Sequence, residues 1–241
     1  MLGYKSIVAA LALLGGVMAQ NPVKIMALGD SITGSPGCWR ALLWQKLQAA
    51  SITQTDFVGT LAGQGCGFAY DGENEGHGGF LATNIASQGL LRGWLSSTNP
   101  DVVMMHLGTN DVWSNISPAV ILASFETLLG DMRANNPSMK ILVAQIIPMA
   151  PSGCAECGAR VVAFNAAIEA WAPTVSSAAS PVTVVDCFTG FNTATMTGDG
   201  VHPNELGNQA LATSWFEPLA DVIQGVLNKC KKKRAEEAAL E

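Results

Sequence analysis

The sequence predicts one α/β domain, a three-layer α/β/α sandwich built on a parallel sheet. Three observations lead there. Short apolar runs alternate with stretches of helical spacing along the whole chain. The runs are apolar throughout, not at every second residue, so both faces of the sheet are expected to be buried. The polar, glycine-containing segments fall just after the runs, at the strand ends where such sheets bind ligands. No internal repeat, linker or low-complexity stretch divides the chain, and its 241 residues suit one domain.

Taken in order, the first twenty residues read as a signal peptide. Lys5 is the only early charge, Ile7 to Val17 is an apolar run, and Val17-Met18-Ala19 offers small residues before a cut at Gln20 or Asn21. The run is short for a bilayer span, and no later segment is a transmembrane candidate. A secreted, extracellular, soluble protein is therefore expected, with residues 21–228 as its one folded domain. Val23 to Leu28 is a strand ended by Gly29-Asp30. Trp39 to Ala50 is helical and Thr53 to Val58 a second strand. Gly63 to Gly79 holds seven glycines and reads as an irregular loop. Thr83 to Leu95 is predicted as one helix.

Asp101 to Leu107 is a strand opened by Asn99-Pro100. Ser117 to Ala134 is a helix with Ser117 as N-cap and Pro118 at its first position. Lys140 to Ile147 and Val182 to Asp186 are strands, Ala159 to Trp171 a helix, and Glu205 to Leu227 a long final helix. Residues 229–241 form a charged tail with Lys229, Lys231, Lys232, Lys233 and Arg234, expected to be a frayed, solvated end.

Composition excludes some functions. The chain is 49% hydrophobic and 13% charged, which fits a packed core rather than disorder. Asn21 to Asn228 carries seven basic and sixteen acidic residues, a net of −9, so nucleic acid is not an expected partner. Six cysteines behind a signal peptide imply disulfides, with fifteen possible pairings. The pairs expected are 38–66, 154–157 and 187–230. Cys154-Ala-Glu-Cys157 has CxxC spacing but no second such pair, so zinc is not expected. Asn115-Ile116-Ser117 is a glycosylation sequon followed by Pro118.

Four segments carry residues suited to chemistry: Gly29-Asp30-Ser31-Ile32-Thr33 after the first strand, Gly76-His77-Gly78-Gly79, Gly108-Thr109-Asn110-Asp111, and Asp199-Gly200-Val201-His202-Pro203-Asn204. Each alone also reads as an ordinary turn or helix cap. Together they supply a complete acyl-transfer set. Ser31 is the candidate nucleophile, His202 its base and Asp199 the carboxylate that orients His202. The Ser31 N–H, the Gly79 N–H and the Asn110 amide are the candidate oxyanion hole. No metal or cofactor is needed.

These blocks, in this order, resemble those of the SGNH (GDSL-type) hydrolases, whose Ser, Gly, Asn and His match Ser31, Gly79, Asn110 and His202. Gly78 is the near alternative to Gly79. The resemblance implies a flavodoxin-like fold with five parallel strands. Leu28 to Arg40 and Asn74 to Gly79 further resemble carbohydrate esterase family 3, the acetylxylan esterases; some relatives carry His where this chain has Asn74. That resemblance implies an enzyme, a carboxylic ester hydrolase that deacetylates xylan or related acetylated polysaccharide and oligosaccharide. A monomer is expected. Two alternatives stand beside it: a lipase, lysophospholipase or thioesterase of the same fold, and a non-catalytic carbohydrate-binding protein.

Among other residues, His77, Trp39 and Trp113 are candidate substrate contacts, the tryptophans as walls for a sugar ring. His106 reads as a core histidine, Asp30 and Asp111 as hydrogen-bonding supports, and Arg40 as a charge on the helix surface.

Overall fold

Seven successive residues, Val23–Gly29, form β1, and all but Lys24 are buried. Every other element is arranged around this strand in the computed structural model, which describes residues 21–238. The first-block turn passes through a single helical turn, α1 (Ser31–Gly34), into α2 (Trp39–Ala49). β2 (Thr55–Val58) and the two-residue β3 (Glu75–Gly76) follow. Next come α3 (Ala82–Gln88), α4 (Leu90–Thr98), β4 (Val102–His106), α5 (Thr109–Trp113) and α6 (Pro118–Asn135). The chain finishes with β5 (Lys140–Gln145), α7 (Cys157–Val175), β6 (Val182–Asp186), α8 (Thr193–Met196) and α9 (Glu205–Ala238).

The sheet runs β2-β1-β4-β5-β6, all parallel, with β3 pairing the end of β1 through Leu28–Glu75 and Gly29–Gly76. It is the three-layer parallel architecture expected from the alternation of elements. The strand order reverses between β1 and β4, and a crevice opens at their carboxyl ends. β1 feeds Ser31 into that crevice and β4 feeds Asn110 into it. On one side α9 packs on α2 and reaches β1, β5 and β6; α7 covers β5 and β6 and packs on α6, which also meets α3 and α4. Leu211, Trp215, Leu219, Ile223 and Leu227 recur every four residues and are buried, which seats α9 on the core.

Several local expectations change. The stretch predicted as one helix over Thr83 to Leu95 is two, because Gly89 sits at φ 63°, ending α3 and starting α4. β6 is not buried on both faces: it mixes buried and exposed residues, as an edge strand can. Ser117 occupies the N-cap of α6, but its side chain makes no capping bond. The charged tail continues α9 as helix to Ala238 instead of fraying after Leu227. The proposed signal peptide lies outside the described residues.

Two expected disulfides form, Cys38–Cys66 and Cys154–Cys157. The third does not. Cys187 is buried, Cys230 is exposed, and both are free. Cys187 follows β6 and lines a cavity with Leu206 at the start of α9. Cys230 lies 24 residues further along that helix, about 36 Å away at 1.5 Å per residue. A disulfide requires Cα atoms within about 7 Å. Among the described residues, no helix is long and apolar enough to cross a membrane.

Candidate active site

Ser31 begins α1 directly beyond the carboxyl end of β1. Asp30, the N-cap, accepts a hydrogen bond from the Ile32 N–H at 3.0 Å and so fixes the turn that presents Ser31. The turn is pressed against the glycine block: a Cβ on Gly34 would stand 2.0 Å from the Gly76 carbonyl oxygen. Only glycine permits that approach.

His202 and Asp199 come from the loop before α9. The Ser31 Oγ lies 2.8 Å from His202 Nε2, and His202 Nδ1 lies 2.6 Å from Asp199 Oδ2. With the ring proton on Nδ1 donated to the carboxylate, Nε2 is left to accept from the Ser31 hydroxyl. Asp199 Oδ1 also accepts from the N–H groups of Val201 at 2.9 Å and His202 at 2.7 Å. Burial by itself pushes the Asp199 carboxyl up, but the bonds from the His202 ring and the two backbone N–H groups outweigh it and carry it down to about 2. The carboxylate is therefore ionised at every pH at which the protein would work.

A second loop braces this one. The Gly200 carbonyl accepts from the Ala150 N–H at 2.8 Å, and the φ of Gly200 is +83°. A Cβ there would meet the Ala150 carbonyl oxygen at 2.3 Å. The Ala150 loop leads into the Cys154–Cys157 disulfide, so the base-bearing loop rests on a cross-linked support.

Asn110 lies in the first turn of α5, and its Nδ2 donates to the Phe80 carbonyl at 3.0 Å. That bond places the amide beside Gly79 and leaves its second N–H available. Among the described residues, the N–H groups of Ser31 and Gly79 take no protein acceptor. A Cβ on Gly78 would stand 3.8 Å from that of Ser31, so Gly78 borders the nucleophile, and Gly79, at φ +79°, follows it in the chain. Asp111 bonds the first turn of α3, accepting from the Ala82 N–H at 2.8 Å and from the Thr83 N–H and hydroxyl. It thereby holds the Gly79–Phe80 segment against Asn110.

The substrate-contact candidates fare differently. Trp39 is 1% exposed, donates Nε1–H to the Ile32 carbonyl and stacks on Trp215 at 5.9 Å. It is core, and it cannot form a wall for a sugar. His77 is held by Glu75, Nε2 to Oε1 2.6 Å, and stacks on Trp94 and Phe80. Its ring is committed to that stack. Trp113 stays exposed on α5, three residues past Asn110 and so on a similar side of the helix. Arg40 is not a surface charge. It is buried and donates to the carbonyls of Thr33, Gly72 and Pro36, tying the first block to the glycine loop; desolvation lowers its affinity for its proton. His106 is buried in β4, where desolvation carries it down to about 4 and keeps it neutral.

Glu75 escapes sequence reasoning. It is fully buried, and it accepts from the Thr60 N–H and hydroxyl as well as bonding His77. A carboxylate inside a glycine block two residues before a histidine is the signal that could have found it. Among the described residues, no group of three or more His, Cys, Asp or Glu side chains could hold a metal ion.

The profile of the GDSL-like lipase/acylhydrolase family matches residues 27–210. A "Multidomain esterase" of Ruminococcus flavefaciens is 29% identical over 229 residues, covering 86% of this chain; the chain spans only 29% of that relative's length. Among solved structures, an acetyl esterase mutant with an acetate ion is 36% identical at a TM-score of 0.77, covering 85% of this chain and 99% of that one. A carbohydrate esterase family 3 protein from Talaromyces cellulolyticus is also 36% identical at 0.77, covering 84% and 99%. A Clostridium thermocellum family 3 carbohydrate esterase is 26% identical at 0.73, covering 85% and 98%.

Proposed function

Because the chain belongs to the GDSL-like lipase/acylhydrolase family and is an SGNH-type esterase, we propose that it removes acetyl groups from plant-wall polysaccharide such as acetylated xylan. The observation that carries the proposal is the unbroken chain Ser31 Oγ–His202 Nε2 and His202 Nδ1–Asp199 Oδ2, at 2.8 and 2.6 Å. His202 takes the Ser31 proton as Oγ attacks the acetyl carbonyl. The oxyanion is received by the Ser31 and Gly79 N–H groups and the free N–H of Asn110. His202 then returns the proton to the departing sugar oxygen, leaving acetyl-Ser31. A water activated by the same imidazole releases acetate and restores the serine.

Two things favour acetyl-sugar over long-chain acyl substrates. The side chains of His202 and Asp199 are 46% and 54% exposed, so the site lies open to a polymer. The relatives with the highest identity among the solved structures above are described as an acetyl esterase and a carbohydrate esterase. Export is part of the proposal; two disulfides and the apolar pattern of the first twenty residues support it.

The test is acetate release from acetylated xylan by wild type and Ser31→Ala, beside cleavage of acetyl and octanoyl nitrophenyl esters. Wild type is expected to release acetate and to prefer the acetyl ester, and Ser31→Ala to do neither while remaining folded. Equal or faster octanoyl cleavage refutes the acetyl-sugar reading in favour of a lipase or thioesterase. Sugar binding without any ester cleavage would indicate the non-catalytic alternative.

A further inference from the structure

Phe80, Asn84 and Gln88 lie four residues apart, on one side of the turn that enters α3 and of α3 itself. They border a cavity of about 330 Å³ whose remaining walls are Gly78, Gly79 and Leu90. One of these walls, Gly78, is also the glycine whose Cβ would stand 3.8 Å from that of Ser31, which sets the cavity one residue away from the nucleophile. Its polar walls are uncommitted: among the described residues, the exposed carboxamides of Asn84 and Gln88 take no protein partner. Its aromatic wall is rigid. Phe80 is 36% exposed, and its ring is backed by His77 at 5.0 Å, which in turn stacks on Trp94 at 4.3 Å and is bonded to buried Glu75.

We infer that Phe80, Asn84 and Gln88 form the subsite that seats the sugar ring bearing the acetyl ester. The inference rests on the acetyl-sugar reading given above and adds the residues that select for it. Three features exclude the acyl group as occupant. The volume has room for roughly ten water molecules, far more than an acetyl methyl needs. Two free carboxamides covered by an alkyl chain would lose water and gain no partner, whereas sugar hydroxyls both donate and accept. A flat, exposed aromatic face backed by further rings suits the apolar face of a pyranose.

The experiment compares kcat/KM for acetylated xylotriose with kcat/KM for 4-nitrophenyl acetate, which has no sugar. In Asn84→Ala/Gln88→Ala the xylotriose-to-nitrophenyl ratio is expected to fall tenfold or more, mainly through KM. Those carboxamides hold no protein group, so their loss leaves the fold intact, and nitrophenyl acetate turnover reports that. Phe80→Ala is expected to lower the ratio similarly and Phe80→Tyr to preserve it. An unchanged ratio in the double variant overturns the inference. So does a shift in octanoyl-to-acetyl preference without a shift in the sugar ratio, which would make the cavity an acyl pocket. Wild type that cleaves nitrophenyl acetate but releases no acetate from xylotriose overturns the functional reading, and the subsite with it.

Discussion

Replacing Asp30 with asparagine is expected to stabilise the protein at neutral pH and to leave it nearly unchanged in acid. Asp30 is fully buried, and burial raises its carboxyl from the ordinary 3.8 to about 6; the bond from the Ile32 N–H, the neighbouring Thr109 hydroxyl and His202 oppose that rise without cancelling it. Neither Oδ2 nor the Thr109 hydroxyl completes a hydrogen bond, so the charge is only partly compensated. At about 1.4 kcal/mol per pH unit, the rise corresponds to about 3 kcal/mol. The sign follows from proton binding. Below pH 3.8 the group is protonated in both folded and unfolded chains, and there is no penalty. Between 3.8 and about 6 the unfolded chain gives up the proton while the folded one retains it, so stability falls as pH rises. Above about 6 the full penalty applies. An asparagine at this position would keep the acceptor for Ile32 and offer the Thr109 hydroxyl a donor. Urea unfolding of both proteins in acid, below the ordinary carboxylate range, and again above neutrality measures the difference. The variant's advantage should grow by up to about 3 kcal/mol between the two, or about 6–12 °C in Tm for a domain of this size. A difference that stays constant with pH would refute the assignment of a destabilising, buried charge beneath Ser31.

Asn110→Ala should lower kcat roughly a hundred- to a thousandfold with little change in KM, read by initial rates on nitrophenyl acetate; a change confined to KM would move Asn110 from the oxyanion hole to substrate binding. Gly200→Ala puts a Cβ against the Ala150 carbonyl at a left-handed φ, so thermal melting should show a loss of about 2 kcal/mol or more, with a parallel loss of activity as the Asp199–His202 loop is displaced. In the folded protein a thiol reagent should titrate Cys230 quickly and Cys187 only after denaturation, because Cys187 is buried and desolvation pushes its thiol up; two fast thiols, or none, would contradict the unpaired arrangement.

The parts of this structure that are visible in the sequence are those decided locally. An apolar run followed by glycine and a polar residue is a strand delivering a side chain to the crevice, and Ser31 and Asn110 both arrive that way. His202 and Asp199 are three residues apart, so their mutual geometry is also local. What stays hidden depends on distant partners. Trp39 reads as a ligand wall in sequence, yet Trp215, on the final helix, covers it. Arg40 reads as a surface charge because its partners are backbone carbonyls, whose direction depends on loop conformation. An even cysteine count suggests a third disulfide, but counting carries no information about which edge of the sheet each residue occupies. Phe80 has no motif at all; only the folded stack on His77 fixes its ring.

α9 begins next to His202 and runs back along the sheet, so its last turns emerge near the starts of β4 and β5, where Asp101, Lys140 and Cys230 share a cavity. Beyond Leu227 the helix continues for eleven residues, about 16 Å of rod. An attachment made through that projecting strut, such as a bead, a surface or a fused module, would be anchored on the side facing away from the cleft. The catalytic mouth would then point outward, free to meet a substrate too large to diffuse to it.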